Sequence, residues 1–358
     1  MPTVLVAGST GVIGCHAAAE FATTPGWRVV TASRGRGCPG APIDEHVTVD
    51  LLRSGDVEGM ASTRPDVTHL VFAAGAGASQ SGGPADGAVA MLANTLAAFR
   101  HSRSLLQHVT VFQSGAAYGA GLGPYKIPAK ESDPRLPMTG VDEQLVDLLT
   151  ESADADGLRW TVLRTDTVIG HAEGGSPNLL LAIAAYASVC RALGLPLRFP
   201  GTEQDYRALA QVTDAELLGR AAVWAASAEA AADNVFNVTN GDAFRWCDVW
   251  PEIAAVFGMS VAPPAPFPLA AAMADHSDVW DWLVDQYELV PTPWHEIADW
   301  DAAAAALVPG FDRLYSTIKI RRAGFAEALD SEARFGPWFE RLAKSKVIPP
   351  VGGGHTHR

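Results

Sequence analysis

The sequence predicts an α/β fold: a doubly wound parallel sheet in the first half and a smaller, mostly helical lobe in the second. Three observations carry that expectation. Thr3–Ala7, "TVLVA", is a short continuous apolar run, the pattern of a parallel strand covered on both faces. "GSTGVIG" follows at once, with glycines at 8, 11 and 14, and then the helix-like stretch "CHAAAEFATT". Further apolar runs, "WRVVTAS", "HVTVDLL", "DVTHLVFAAGAG" and "HVTVFQSG", recur at βα spacing before the pattern changes to Ala/Leu helices and aromatic-rich pieces.

Strand, glycine turn and helix begin a nucleotide-binding βαβ unit of the Rossmann type. Gly8, Gly11 and Gly14 permit the turn, the close approach of backbone to a pyrophosphate and tight helix-on-strand packing. Thr10, Val12 and Ile13 fill the turn between them, and the helix start offers free N–H groups to the phosphates. The second strand ends at Ser33-Arg34, where an NAD-preferring site usually carries an acid. Arg34 presents a planar fork of donors suited to a 2′-phosphate, so NADP(H) is the expected cofactor. Asp50 and Leu51 are placed to meet the adenine edge. Ala73, Ala74 and Gly75 are small enough to let backbone approach the cofactor. Thr165 and Val168, in "VLRTDTVIG", are expected at the same site.

The chain has 358 residues, 48% hydrophobic and 18% charged, enough for one two-lobed unit or two modest domains. The expected division is 1–175 for the NADP(H)-binding domain and 176–358 for the substrate lobe, with segments around 205–245 returning to the sheet. Lys and Arg total 26 against 40 Asp and Glu, a net charge of −14, and no basic run interrupts that balance. Nucleic acid and anionic membrane are therefore not expected partners. Cys15, Cys38, Cys190 and Cys247 are scattered, with no CxxC pair or Cys/His cluster. That spacing argues against a metal site or a disulfide framework and fits a reducing cytoplasm. The first strand starts at once, leaving no room for a signal peptide, and the apolar runs are too short to span a membrane.

"GSTGVIG", "VDLL", "VFAAG" and "FQSGAAYG", in this order, resemble an extended short-chain dehydrogenase/reductase. "GPYKIPAKESDPRL", "GLPLRFPGTEQDY", "VFNVTNGDAFRWCDVW" and "KIRRAGFAEALDSEARFGPWFERL" narrow the likeness to the atypical progesterone 5β-reductase/iridoid synthase-like branch. The resemblance implies NADPH-dependent reduction of the activated C=C bond of an enone or enal, with a Tyr hydroxyl stabilising the enolate. It also implies a homodimer as a possible assembly.

Two departures stand out against that branch. Ser114 takes the place of the strand-end Ser or Thr that donates to the substrate oxygen, four residues before Tyr118. The branch's T-G-x-K-H-Y-G becomes "SGAAYG", one residue shorter and without its Lys. Downstream, the gap-free frame from Pro134-Arg135 through "WTVLR" sets Asp142 and Glu143 where paired tyrosines are expected, so Tyr-x-x-x-Lys becomes Glu143-x-x-x-Asp147. Three readings stay open. Hydride transfer persists with Ser114, Tyr118 or a protonated Glu143 stabilising the oxyanion. Alternatively, Glu143 or Asp142 is the acid/base of a non-redox isomerase, lyase, dehydratase or cyclase. The third is a non-catalytic NADP(H)-binding protein. For the two acids themselves, a solvated helix start with Thr139 as cap is the plain alternative. In the lobe, Phe199, Tyr206 and Trp280 are candidates for the pocket of a small apolar carbonyl compound. No metal ligands are expected, and the two His of the "GGGHTHR" tail read as solvated.

Overall fold

A computed structural model of the chain describes residues 1–35, 37–75, 86–102, 104–136, 140–173, 175 and 178–352. Six strands carry the first half: β1 (Thr3–Ala7), β2 (Arg28–Ser33), β3 (Glu45–Thr48), β4 (Val67–Phe72), β5 (His108–Gln113) and β6 (Arg159–Thr165). Together with the strand Asn234–Val238 they make a parallel sheet in the order β3-β2-β1-β4-β5-β6-(Asn234–Val238). β1 pairs with β2 on one side and β4 on the other, so the winding reverses there. In doubly wound sheets ligands bind outside the carboxyl ends of the strands at such a reversal. Every residue of β1 and of β5 is buried, as their continuous apolar character demands. Asp50-Leu51 lie in the turn just past β3 rather than at its end.

Helix α1 (Val12–Thr23) packs on one face with the helix Ala215–Ser227. Gly219 allows that contact, because a Cβ there would stand 2.8 Å from the His16 carbonyl oxygen. Helices α2 (Ser54–Ser62), α3 (Asp86–His101) and α4 (Val141–Asp156) cover the other face through Val57, Leu92, Phe99, Leu145 and Leu149. The lobe has its own core around Leu179–Ala192, a helix buried along its whole length, packed with Trp246, Trp250, Trp280, Phe335 and Phe339. The Ala-rich run forms a helix, Trp300–Leu307.

The cysteine expectation needs correction. Cys15 and Cys38 are joined by a disulfide, with Cα atoms 5.2 Å apart. Residues 23 apart in sequence meet because the segment after β2 folds back over the start of α1. Cys190 and Cys247 are free thiols. Among the described residues, no helix is long and apolar enough to cross a membrane, and no group of three or more His, Cys, Asp or Glu could hold a metal ion.

Candidate active site

The glycine turn sits at the carboxyl end of β1. Gly8 has φ 84, and a Cβ there would stand 2.6 Å from the Ala74 nitrogen, so only glycine lets this turn press against the backbone that leaves β4. A Cβ on Gly14 would run into the Gly8 carbonyl. The Gly8 N–H donates to Ala32 O at 2.9 Å and the Gly11 N–H to Gly8 O at 3.1 Å, which fixes the turn between β1 and β2. Gly11 starts α1 with no side-chain cap, and the first turn of α1 carries no acid. Its N–H groups and dipole are thus left for an anion. Thr10, Val12 and Ile13 are half-buried along this turn.

Ser33 is buried and donates to Gly35 O at 3.0 Å, so it braces the bend on which Arg34 stands exposed. Arg34 makes no ion pair among the described residues. Asp50 accepts the Leu52 N–H at 3.1 Å, and Leu51 O accepts from Asn94 at 3.0 Å. Ala73 is buried, while Ala74 and Gly75 are half-buried; Ala76 and Gly77 of the same motif lie outside the described residues. Thr165, at the end of β6, donates to Gln113 O at 3.3 Å, and Val168 is half-buried three residues on.

Ser114 follows β5 and is buried. Its Oγ accepts the Ala116 N–H at 3.3 Å and so starts the short helical turn Gly115–Tyr118, which leaves the hydroxyl proton able to donate. Tyr118 is differently placed. Its hydroxyl donates to Asn237 Oδ1 at 2.5 Å, and Asn237 in turn donates to Ala129 O and Ser316 O at 3.1 and 3.2 Å. Arg164 lies over the Tyr118 ring, 5.2 Å from its centroid. Burial pushes the Tyr118 pKa up, against the pull of Arg164. With its proton committed to Asn237, Tyr118 is a brace between the turn and the Asn234–Val238 strand.

The two acids of α4 part company. Both are buried, each only 7% exposed, so the start of the helix is not solvated. Glu143 Oε2 accepts the Gly140 N–H at 3.1 Å and closes the helix start locally. Thr139, the expected cap, lies outside the described residues. Asp142 is the less committed of the two: its carbonyl accepts from Gln113 Nε2 at 2.7 Å, and its carboxylate Oδ2 has no partner among the described residues. Burial raises the Asp142 pKa to about 6, with Arg164 and the Ala117 N–H opposing and Glu143 adding to the rise. Asp142 thus sits against Ala117, within the turn that lacks the branch's Lys. The position singled out from the sequence, Glu143, is occupied by a capping interaction, and its neighbour carries the tuned carboxyl. Asp147 is half exposed and paired with Arg135 at 2.7 Å.

The aromatic pocket expectation also needs correction. Phe199 and Trp280 are fully buried in the lobe core, Phe199 against Tyr206 with centroids 5.0 Å apart. The Trp280 indole donates to Thr292 O at 2.9 Å. These side chains serve packing. A small concavity beside β6 is lined instead by Thr167, Asp205, Leu209, Gln211, Trp246 and Arg313, among others. Arg313 reaches it from a distant part of the chain and pairs with buried Asp166, which follows Thr165. Sequence reasoning missed Gln113, Arg164, Asp166, Gln211 and Arg313; the first three stand inside quoted motifs at strand ends, which was the available signal.

Strand order, the Gly8–Gly14 turn and a serine at the carboxyl end of β5 define an enzyme of the extended short-chain dehydrogenase/reductase type. More narrowly, the chain belongs to the PRISE-like Rossmann-fold domain family, whose family model matches residues 49–349. The (S)-8-oxocitronellyl enol synthase of Catharanthus roseus is 29% identical over 365 residues, covering 96% of this chain and 92% of that protein. The enzyme of the same name from Nepeta cataria is 29% identical over 364 residues, again covering 96% and 92%. A UDP-glucose 4-epimerase from Thermotoga maritima, solved with UDP-glucose, shares the fold at TM-score 0.65 and 14% identity, covering 96% of this chain and 99% of that one. The Thermus thermophilus UDP-glucose 4-epimerase, solved with NAD, superposes at TM-score 0.63 and 18% identity over 95% and 98%.

Proposed function

We propose that the protein is an NADPH-dependent reductase of the activated C=C bond, or the C=O, of a small apolar enone or enal. The concavity beside β6 carries this reading. It is mostly apolar, and its one cationic side chain among the described residues, Arg313, is already neutralised by Asp166. A nucleotide-sugar, as held by the Thermotoga maritima epimerase, would need unpaired cations there; a neutral carbonyl compound does not.

The residues fit a dinucleotide. Gly8 and Gly14 let the turn pack tightly against the backbone leaving β4 and against the Gly8 carbonyl, α1 offers uncapped N–H groups to a pyrophosphate, and Arg34 stands exposed beside Ser33 for a 2′-phosphate. When bound, the reduced nicotinamide supplies hydride. Ser114 then keeps a hydroxyl proton to donate to the substrate oxygen, a bond that strengthens as negative charge grows there. An enone or enal spreads that charge over a conjugated system, so it asks less of an acid than a simple ketone. The enol synthases among the relatives favour chemistry that ends at an enol oxygen.

A second reading rests on Asp142. A buried carboxyl poised near 6, with one oxygen unpartnered, suits proton transfer next to a carbonyl without net redox.

The experiment is NADPH oxidation, followed by absorbance, with 2-cyclohexen-1-one, (E)-2-hexenal and UDP-glucose. The reductase reading expects turnover with the neutral compounds and none with UDP-glucose. No loss of NADPH across a broad neutral panel would overturn it.

A further inference from the structure

The Cys15–Cys38 disulfide stands between the two parts of the molecule that meet the cofactor's phosphates. Cys15 lies in the first turn of α1, four residues after Gly11, whose carbonyl accepts the Cys15 N–H at 2.9 Å. Cys38 lies four residues after Arg34, on the connection from β2 to β3. Ala172 is buried against the bridge, and Val12 and Ala41 pack on the same cluster. Val12 belongs to the helix start offered to the pyrophosphate. One covalent bond therefore joins the pyrophosphate helix to the arm that carries the candidate 2′-phosphate donor.

Two tethers hold that arm in its middle. The Gly35 carbonyl accepts from Ser33 Oγ at 3.0 Å and from His46 Nε2 at 2.8 Å. A Cβ on Gly35 would stand 4.0 Å from Thr10 Cγ2, so the arm runs beside the glycine turn at van der Waals distance. The second tether is the disulfide. Between them Arg34 and Gly35 are exposed, and Pro39 and Gly40 are exposed just beyond Cys38.

Opening the bridge must move one side of it, because two thiols cannot keep their sulfurs at bonding distance and part to van der Waals contact. The Cys15 side is fixed: α1 is pressed against the helix Ala215–Ser227, where a Cβ on Gly219 would stand 2.8 Å from the His16 carbonyl oxygen. The Cys38 side has solvent next to it, so the displacement falls on the arm.

We propose that the Cys15–Cys38 disulfide determines cofactor specificity under redox control: closed, it holds Arg34 beside the glycine turn for a 2′-phosphate, and opened by a dithiol it releases that grip. This rests on the reading of Arg34 as the 2′-phosphate donor, and not on hydride transfer. One thiolate of the dithiol attacks Cys38 Sγ, and the S–S bond breaks toward Cys15 Sγ. The second thiol then displaces Cys38 Sγ, leaving the reductant as a cyclic disulfide and both cysteines as thiols that carry its two protons. A planar guanidinium contributes to phosphate binding only when its fork is aimed, so freeing the arm costs NADPH and spares NADH, which has no 2′-phosphate.

The test counts thiols and measures nucleotide binding on the same protein. Alkylation in denaturant, read by mass, should find the two thiols of Cys190 and Cys247 before reduction and four after dithiothreitol treatment of the native fold. Fluorescence titration should then show NADPH weakened about tenfold and NADH within about twofold of its former affinity. Cys38→Ser should show the same loss without reductant, and reductant should add nothing to it. By reciprocity NADPH, but not NADH, should shift the dithiol equilibrium about tenfold toward the disulfide, or about 30 mV. Four thiols before any reductant would overturn the proposal, as would a bridge that resists dithiothreitol in the native fold. So would an opened protein that keeps its NADPH affinity, or equal losses of NADPH and NADH, the mark of a bridge that only supports the fold. Should Cys38→Ser fail to fold, the reduced native protein carries the same decision. Arg34→Asp separates the two claims. NADPH lost there but not on reduction removes the disulfide's role and leaves the 2′-phosphate reading; NADPH untouched by Arg34→Asp removes both.

Discussion

Replacing Asp142 by Asn isolates a carboxyl that burial holds well above the ordinary carboxylate range. In the folded chain its pKa is about 6, against an ordinary value of 3.8, because burial disfavours the charged form more than Arg164 and the Ala117 N–H favour it. A raised folded pKa means that the contribution to stability is complete below pH 3.8 and is lost as pH rises through about 6. The interval is worth about 3 kcal/mol, or roughly 4 °C in melting temperature for a chain of this size. Asn is nearly isosteric, stays neutral at every pH, and can turn its oxygen toward Ala117 and Arg164. Thermal unfolding of the two proteins from pH 4 to pH 8 is the assay. The variant should match the parent near pH 4 and gain on it steadily up to pH 8. Parallel curves would refute the claim that Asp142 is buried as an unpaired acid. The same variant divides the two functional readings: reductase turnover should survive it, whereas non-redox proton transfer should fall by about 10²-fold or more.

Arg34→Asp should weaken NADPH binding about tenfold or more while leaving NADH little changed, as read by fluorescence titration; equal losses would remove the 2′-phosphate role. His108, buried beside His69, has its pKa lowered to about 3 from 6.5, chiefly by burial. A depressed folded pKa gives stability that is present above pH 6.5 and lost as pH falls toward 3, about 2 kcal/mol of it by pH 5. His108→Leu should therefore flatten acid denaturation measured by urea titration at pH 5 and pH 8, and an unchanged difference between those two pH values would contradict the burial argument.

The parts of this protein written in consecutive residues are legible in the sequence itself. β1, the Gly8–Gly14 turn and α1 follow from an apolar run, the space a Cβ would fill and a helix start, all within 23 residues. The strands up to β6 are legible for the same reason, because a parallel strand covered on both faces is a short apolar block. Contacts made across the chain are not. Asp142 and Glu143 are adjacent acids in the sequence, and only the packing of α4 against Gly115–Tyr118 separates a tuned carboxyl from a helix cap. Arg313 meets Asp166 across 147 residues, which no local pattern signals. Cys15 and Cys38 find each other only once the chain after β2 has turned back over α1. Trp280 and Phe199 show the limit of residue type, since a large apolar ring fits a core as well as a pocket.

Central to the account is hydride delivery to a neutral unsaturated carbonyl compound on a scaffold that lacks the α4 tyrosine. NADPH carrying deuterium at the transferable position of its nicotinamide C4 tests it most directly, with 2-cyclohexen-1-one as substrate and mass and NMR analysis of the product. The account predicts deuterium on the β-carbon of the saturated ketone, or on the carbinol carbon if the C=O is reduced instead. Substrate that is transformed while the label stays on the nucleotide would contradict it and make the protein a non-redox catalyst.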